Sequence, residues 1–193
     1  MKFKKLSLTL LVSIFFLMPA AYAMEEDKQQ IVRVKPKVEQ RLEELGIKLP
    51  VLPKSNAKFV PFKIVNSMVY ISGQLPVRDG TLQYKGKLGK ELSIEEGQEA
   101  AKLCTYNILA YLKDACEGDL ERVQEAVRLG VWVNSTDDFT DQPKVANAAS
   151  ELINSIFGEN GQHVRAAVGS KSLPFGAAVE IEALFALKGA SKL

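Results

Sequence analysis

Two cysteines and one histidine in 193 residues set the first limits. Two cysteines cannot build a disulfide-stapled scaffold. A single histidine removes any two-histidine metal site within one chain, and with it a histidine-paired acid–base mechanism. An excess of charge of one sign is also missing: 25 Lys and Arg stand against 23 Asp and Glu. The first 23 residues hold Lys2, Lys4 and Lys5 and no acid, so the remaining 170 carry 22 basic and 23 acidic residues. A body so near neutrality has no global attraction for nucleic acid, whose binding domains are strongly basic, and nucleic acid is not an expected partner. The 47% apolar and 25% charged residues that are present make an ordinary globular domain. They exclude a disordered or collagen-like chain.

Long apolar runs are scarce as well. The longest begins at Leu6 and ends at Met18, 13 residues, about 20 Å as a helix where a bilayer core needs about 30 Å. Lysines precede it, and Pro19 and the small-x-small string Ala21-Tyr22-Ala23 follow. This order is that of a secretory signal cut after Ala23. A periplasmic or secreted protein is expected, with no membrane attachment after cleavage. Cys104 and Cys116 would then meet an oxidising compartment, yet 12 residues along a helix separate them by about 18 Å, too far for a disulfide. Cys104 reads as a core residue. Cys116, beside Glu117-Gly118-Asp119, reads as a partly exposed thiol.

Three segments are expected: a leader at 1–23, an extension with one short helix at 24–57, and a domain at 58–193. In the extension, 36–45 has proline in its first turn and Gly46 past its end. In the domain, two β-branched and aromatic stretches flank Asn66-Ser67, a hairpin signal. The glycine- and lysine-rich stretch 74–92 reads as a loop with a small strand near 81–84. Ser93-Ile94-Glu95-Glu96 is a capping box. Behind it, Ala101, Cys104, Ile108, Leu112 and Ala115 form one helical stripe.

Residues 120–134 contain helix formers, but Val123, Val127, Leu129, Val131 and Val133 share parity, which predicts a strand. Val145, Ala149, Leu152 and Ile156 predict a second helix over 143–157, closed by Gly158. Two last strands, 164–169 and 177–187, flank a turn at 170–176. The order ββ-α-β-α-ββ predicts an α+β domain with two helices on one face of a mixed sheet. If the last two strands form a hairpin, Arg165 faces Glu180. On periodicity alone such a pair is a structural cross-strand contact.

The strings themselves carry more. Arg165-Ala166-Ala167-Val168-Gly169-Ser170-Lys171-Ser172-Leu173-Pro174, followed by Val179-Glu180-Ile181-Glu182-Ala183, resembles the C-terminal signature of the RidA/YjgF family. Val69-Tyr70-Ile71-Ser72-Gly73-Gln74-Leu75-Pro76 does too, and Asp138-Phe139 and Asn147 resemble its signature positions. The resemblance spans 58–187, and the capped first helix and the insertion at 81–90 are most similar to the L-PSP endoribonuclease or chorismate-mutase-like subgroup.

It implies a chorismate-mutase-like fold, a homotrimer with clefts between subunits, and no cofactor or metal. It implies hydrolysis of imines or enamines derived from amino acids, with Arg165 gripping a substrate carboxylate and Glu180 handling water and protons. Ser72, Gly73, Phe59, Asn147 and Ala167 would line the pocket. Two positions depart from the deaminating pattern: Phe59 stands where tyrosine is common, and Ala167 where cysteine is common. These leave open a non-catalytic trimer that binds a small carboxylate or acts in stress protection.

The remaining candidates read as structural. His163 would share a face with Arg165. Ser72 has no acid or base beside it for a nucleophilic triad. Trp132 belongs to the core or to a subunit interface. Lys85, Lys87 and Lys90 form a solvated loop, the one local feature that favours RNA.

Overall fold

The computed structural model describes residues 37–52 and 58–189. The expected leader lies outside them. The helix α1 covers Lys37–Glu44, and it joins the main core through Val38 and Leu42. The Val38 backbone N–H donates to the Glu121 carboxylate, and Glu39 pairs with Lys113 at 2.7 Å.

The expected hairpin forms. Strands β1 (Phe62–Val65) and β2 (Met68–Gln74) pair antiparallel across Asn66 and Ser67. Both turn residues have positive φ, 50° and 65°, so the turn twists in the sense that two-residue hairpins need. A small separate hairpin follows, β3 (Val77–Arg78) and β4 (Thr81–Leu82). Helix α2 runs over Ile94–Ala115, and both arms of its capping box are made: Glu96 N–H donates to Ser93 Oγ, and the Glu96 carboxylate accepts from Ser93 N–H. Every member of its apolar stripe is buried.

Strand β5 covers Val123–Asn134, so alternation outweighs the local helix formers. Two register shifts against the next strand, one near Gln124 and one near Val127, move the parity. Ala126 is therefore buried and Val127 is not. Helix α3 covers Gln142–Phe157, with Val145, Ala149 and Ile156 inward. The last strands are β6 (Val164–Ser170) and β7 (Val179–Leu187).

The five-stranded sheet runs β1-β2-β7-β5-β6. This corrects the expected final hairpin. Strands β6 and β7 do not pair; β5 lies between them, parallel to β6 and antiparallel to β7. The eight residues that join them have enough reach to span the extra strand spacing of about 5 Å. Arg165 aligns with Leu129 and then Ala183, and Glu180 aligns with Trp132 and then Val168.

The two faces differ sharply. Val69, Ile71, Leu129, Val131, Val133, Val179, Ile181 and Phe185 are buried on the face toward α2 and α3. The opposite face carries Tyr70, Arg128, Trp132, Val164, Val168, Glu180 and Glu182, and no described helix packs on it. Val164 is 66% exposed and Tyr70 51%. Trp132 is half-buried on this open face, so it is not a core residue.

Cys104 and Cys116 are both free and buried. The expected exposure of Cys116 is thus corrected. Burial pushes its thiol up to about 11 and raises that of Cys104 as well, which makes both poor nucleophiles.

Candidate functional site

The Ser72-Gly73-Gln74 string sits at a bulge. Ile71 pairs with Ala183 and Gln74 with Ile181, so β2 spends one residue more than β7 over this stretch. A bulge redirects the side chains around it. Here Ser72 Oγ donates to the Val60 carbonyl at 2.9 Å, and Gln74 Nε2 donates to the Ser72 carbonyl at 3.0 Å. Ser72 is thus a structural brace with no base beside it. Asn107, a buried residue of α2 that the sequence reading passed over, donates to the carbonyls of Leu75 and Val77, both at 3.0 Å. Its signal was an amide beside the apolar stripe of the helix, which needs polar partners once buried.

Glu180 lies across Gly73. A Cβ built on Gly73 would stand 2.1 Å from Glu180 Oε1, so the missing side chain is the space that the carboxylate occupies. Burial raises the Glu180 carboxyl above the usual carboxylate range, and the charge of Glu182 on the same face adds to the shift. That moves an acid toward the range where it can exchange protons near neutrality. Glu182 itself pairs with Arg128 and lies over Gly130. Beside it a groove of about 400 Å³ is lined by Lys63, Tyr70, Ser72, Arg128 and Glu182.

Arg165 lies elsewhere. It is on β6, the edge strand, and points to the helix face of the sheet. Its Nη1 donates to Asn147 Oδ1 at 3.1 Å and to Ser150 Oγ at 2.9 Å, and Nη2 approaches the Pro143 carbonyl at 3.5 Å. Pro143, Asn147 and Ser150 are spaced four and three apart on α3, so one helical stripe supplies all three acceptors. No carboxylate of the described residues lies within salt-bridge distance of the guanidinium. The Nε–H and one Nη2–H edge of the fork makes no bond within the described chain. A planar pair of free N–H groups on a permanent cation matches a carboxylate.

The sequence-predicted residues therefore fall into two groups on opposite faces. Glu180, Ser72 and Gly73 gather where β2 meets β7, near Phe59, which is 65% exposed in the segment leading to β1. Arg165, Asn147 and Ala167 gather at β6 and α3. The expected Arg165–Glu180 pairing across a hairpin does not occur in one chain. Asn147 binds Arg165 directly, where a substrate-lining role was expected.

Two lysines of the long loop are committed locally. Lys87 Nζ donates to the carbonyls of Ser135 and Lys171, and Lys90 pairs with Glu91. Among the described residues no three His, Cys, Asp or Glu side chains are placed to hold a metal ion. No helix there is long and apolar enough to cross a membrane.

Comparison with known proteins agrees with this architecture. Residues 39–187 match the family described as YjgF/chorismate mutase-like, which carries a provisional endoribonuclease designation. Protein TCP17 of Trypanosoma cruzi is 45% identical over 152 residues, covering 78% of this chain and 94% of its own. The crystal structure of Atu1372 from Agrobacterium tumefaciens, a protein of unknown function, superposes with a TM-score of 0.74 at 43% identity, over 79% of this chain and 93% of that one. Escherichia coli TdcF, solved with bound serine, shares the fold at 21% identity and a TM-score of 0.51, over 71% of this chain and 93% of that one. With its sheet order, its bulged Ser72-Gly73-Gln74 string and its edge arginine in place, this chain belongs to the YjgF/chorismate mutase-like family.

Proposed function

We propose that the protein is a hydrolase of reactive imines or enamines derived from amino acids, working as a homotrimer whose sites lie between subunits. The observation that carries this is the state of Arg165: a guanidinium held on an edge strand, with no acid partner in the described chain and one bidentate edge unused. A small ligand bearing a carboxylate fits that edge. Glu180 supplies the other half of the chemistry. Because it lies on the opposite face, two copies must meet, with the β6 edge of one set against the β2–β7 bulge of the next. The exposed apolar residues of the open face support such an association.

In the reaction, an enamine first takes a proton at carbon and gives one up from nitrogen to become the imine. Water then attacks the imine carbon as Glu180 accepts one of its protons, and the nitrogen is protonated. In the resulting carbinolamine the hydroxyl proton passes by way of Glu180 to the amino nitrogen as the C–N bond breaks, ammonia leaves, and a 2-keto acid remains. Arg165 holds the carboxylate throughout and contributes orientation. With a signal cut after Ala23, this chemistry is placed in the cell envelope; a mature chain beginning at Met24 by mass spectrometry supports that location, and one retaining Met1 contradicts it.

The test is ammonia release from freshly generated 2-iminobutanoate. Clear acceleration over buffer by the purified protein is expected. Its absence, together with Arg165-dependent binding of 2-oxobutanoate, favours the second reading, a non-catalytic carboxylate-binding trimer. Phe59 and Ala167, which lack the hydroxyl and the thiol of deaminating relatives, are the observations behind that reading.

A further inference from the structure

The single histidine of the chain is tied to Arg165 through one hydroxyl. His163 Nδ1 lies 2.7 Å from the Gly161 carbonyl. A carbonyl only accepts, so Nδ1 donates, and in the Nδ1–H tautomer Nε2 is left as an acceptor. Ser150 Oγ lies 3.0 Å from Nε2 and donates to it. The same oxygen accepts from Arg165 Nη1 at 2.9 Å. Every hydrogen of the relay has a stated place: Arg165 to Ser150, Ser150 to His163, His163 to the Gly161 carbonyl.

The far end is anchored by packing. Gly161 closes the short turn after α3, and a Cβ there would stand 2.7 Å from the Ile153 carbonyl oxygen and 2.8 Å from the Asn154 Cα. Both are backbone atoms, which cannot yield as a flexible side chain can. The residue whose carbonyl orients the imidazole is thus packed closely against the body of the helix.

We infer that Ser150 and His163 are positioning residues for the Arg165 guanidinium. An arginine on an exposed edge has four rotatable bonds and about 2 kcal/mol of rotamer entropy to lose on binding. Here both Nη1 hydrogens are engaged before any ligand arrives, one by Asn147 and one by Ser150. The Nε–H and Nη2–H edge is therefore presented in one orientation. Ser150 has this direction only while its own hydrogen points at His163. The inference rests on the reading of Arg165 as a carboxylate-binding group.

The experiment uses the full mature chain and two independent readouts. The first is 2-oxobutanoate binding by calorimetry, with KM and kcat for 2-iminobutanoate alongside. Ser150→Ala and His163→Phe are each expected to weaken binding and raise KM about tenfold, with kcat within about twofold of wild type. Ser150→Thr, which keeps the hydroxyl, and His163→Gln, which keeps an acceptor, are expected to recover most of the loss. The second readout is 15N relaxation of the Arg165 Nε–H in the free protein, expected to show a looser side chain in Ser150→Ala.

Wild-type affinity in both Ser150→Ala and His163→Phe, or an unchanged Nε order parameter, overturns the inference while leaving the carboxylate reading in place. Failure of Arg165→Ala to weaken 2-oxobutanoate binding sinks that reading itself. In that case the relaxation readout still decides whether the relay holds the guanidinium.

Discussion

Arg165→Ala is expected to lower kcat/KM for 2-iminobutanoate by about 10²–10³-fold, the scale for removing one partner of a charge-assisted contact. Stability should hardly change. Arg165 has no acid partner among the described residues, so its removal strands no buried charge. Asn147 is exposed and Ser150 half-buried, so water can satisfy the acceptors that the guanidinium leaves. Arg165→Lys tests geometry against charge. It keeps the cation and loses the planar fork, so it should recover no more than about tenfold. Full recovery by lysine would mean that Arg165 acts only as a point charge. Loss of activity with a large drop in Tm would mean that the arginine is structural. Steady-state kinetics and thermal melts of the three proteins separate these outcomes.

Gly73→Ala is expected to cost about 10²-fold in kcat while lowering stability by less than about 1 kcal/mol. The outcome depends on which atom the new methyl would meet. It would stand 2.1 Å from Glu180 Oε1, the far end of a flexible side chain, so the carboxylate moves and the backbone stays. Gly73 does not have a positive φ, so alanine fits its conformation. The displaced carboxylate can no longer direct water. Glu180→Gln should match the loss and, in addition, raise Tm slightly at pH 7. The sign follows from linkage: a carboxyl whose pKa is raised by folding binds more protons in the native state, so stability falls as pH rises through that window. A glutamine carries no such penalty. Wild-type kcat in Gly73→Ala would remove Glu180 from the mechanism.

Much of the fold was legible because its signals are local. The capping box at Ser93 and Glu96 satisfies two amides within one turn. Asn66-Ser67 needed only two residues to adopt positive φ. In β5 the parity of Leu129, Val131 and Val133 prevailed because each faces the core. Bulges are a different matter: an extra residue opposite β7 brought Ala126 inward in place of Val127, and nothing in the local pattern marks where a ladder will slip.

The neighbour relation of β6 and β7 was not legible for a related reason. Periodicity tells which residues share a face, and it correctly placed Arg165 with Ala167 and Glu180 with Glu182. It does not tell which strand lies alongside. The segment between Ser170 and Val179 is long enough for a hairpin or for a step over one strand, and the step is what occurs. The relay from Arg165 to His163 depends on the register of β6 against α3, which no single element contains. Its trace in the sequence is the spacing of Pro143, Asn147 and Ser150 beside an apolar stripe.

Whether two copies share each site can be measured by complementation. Protomers carrying Arg165→Ala and protomers carrying Glu180→Gln are each inactive if both groups are needed. Co-expressed in equal amounts with different tags and purified as mixed trimers, they should form interfaces of which about a third pair an intact arginine edge with an intact glutamate. Ammonia release near a third of the wild-type rate is the expected result. Mixed oligomers as inactive as either parent would contradict a site built between subunits.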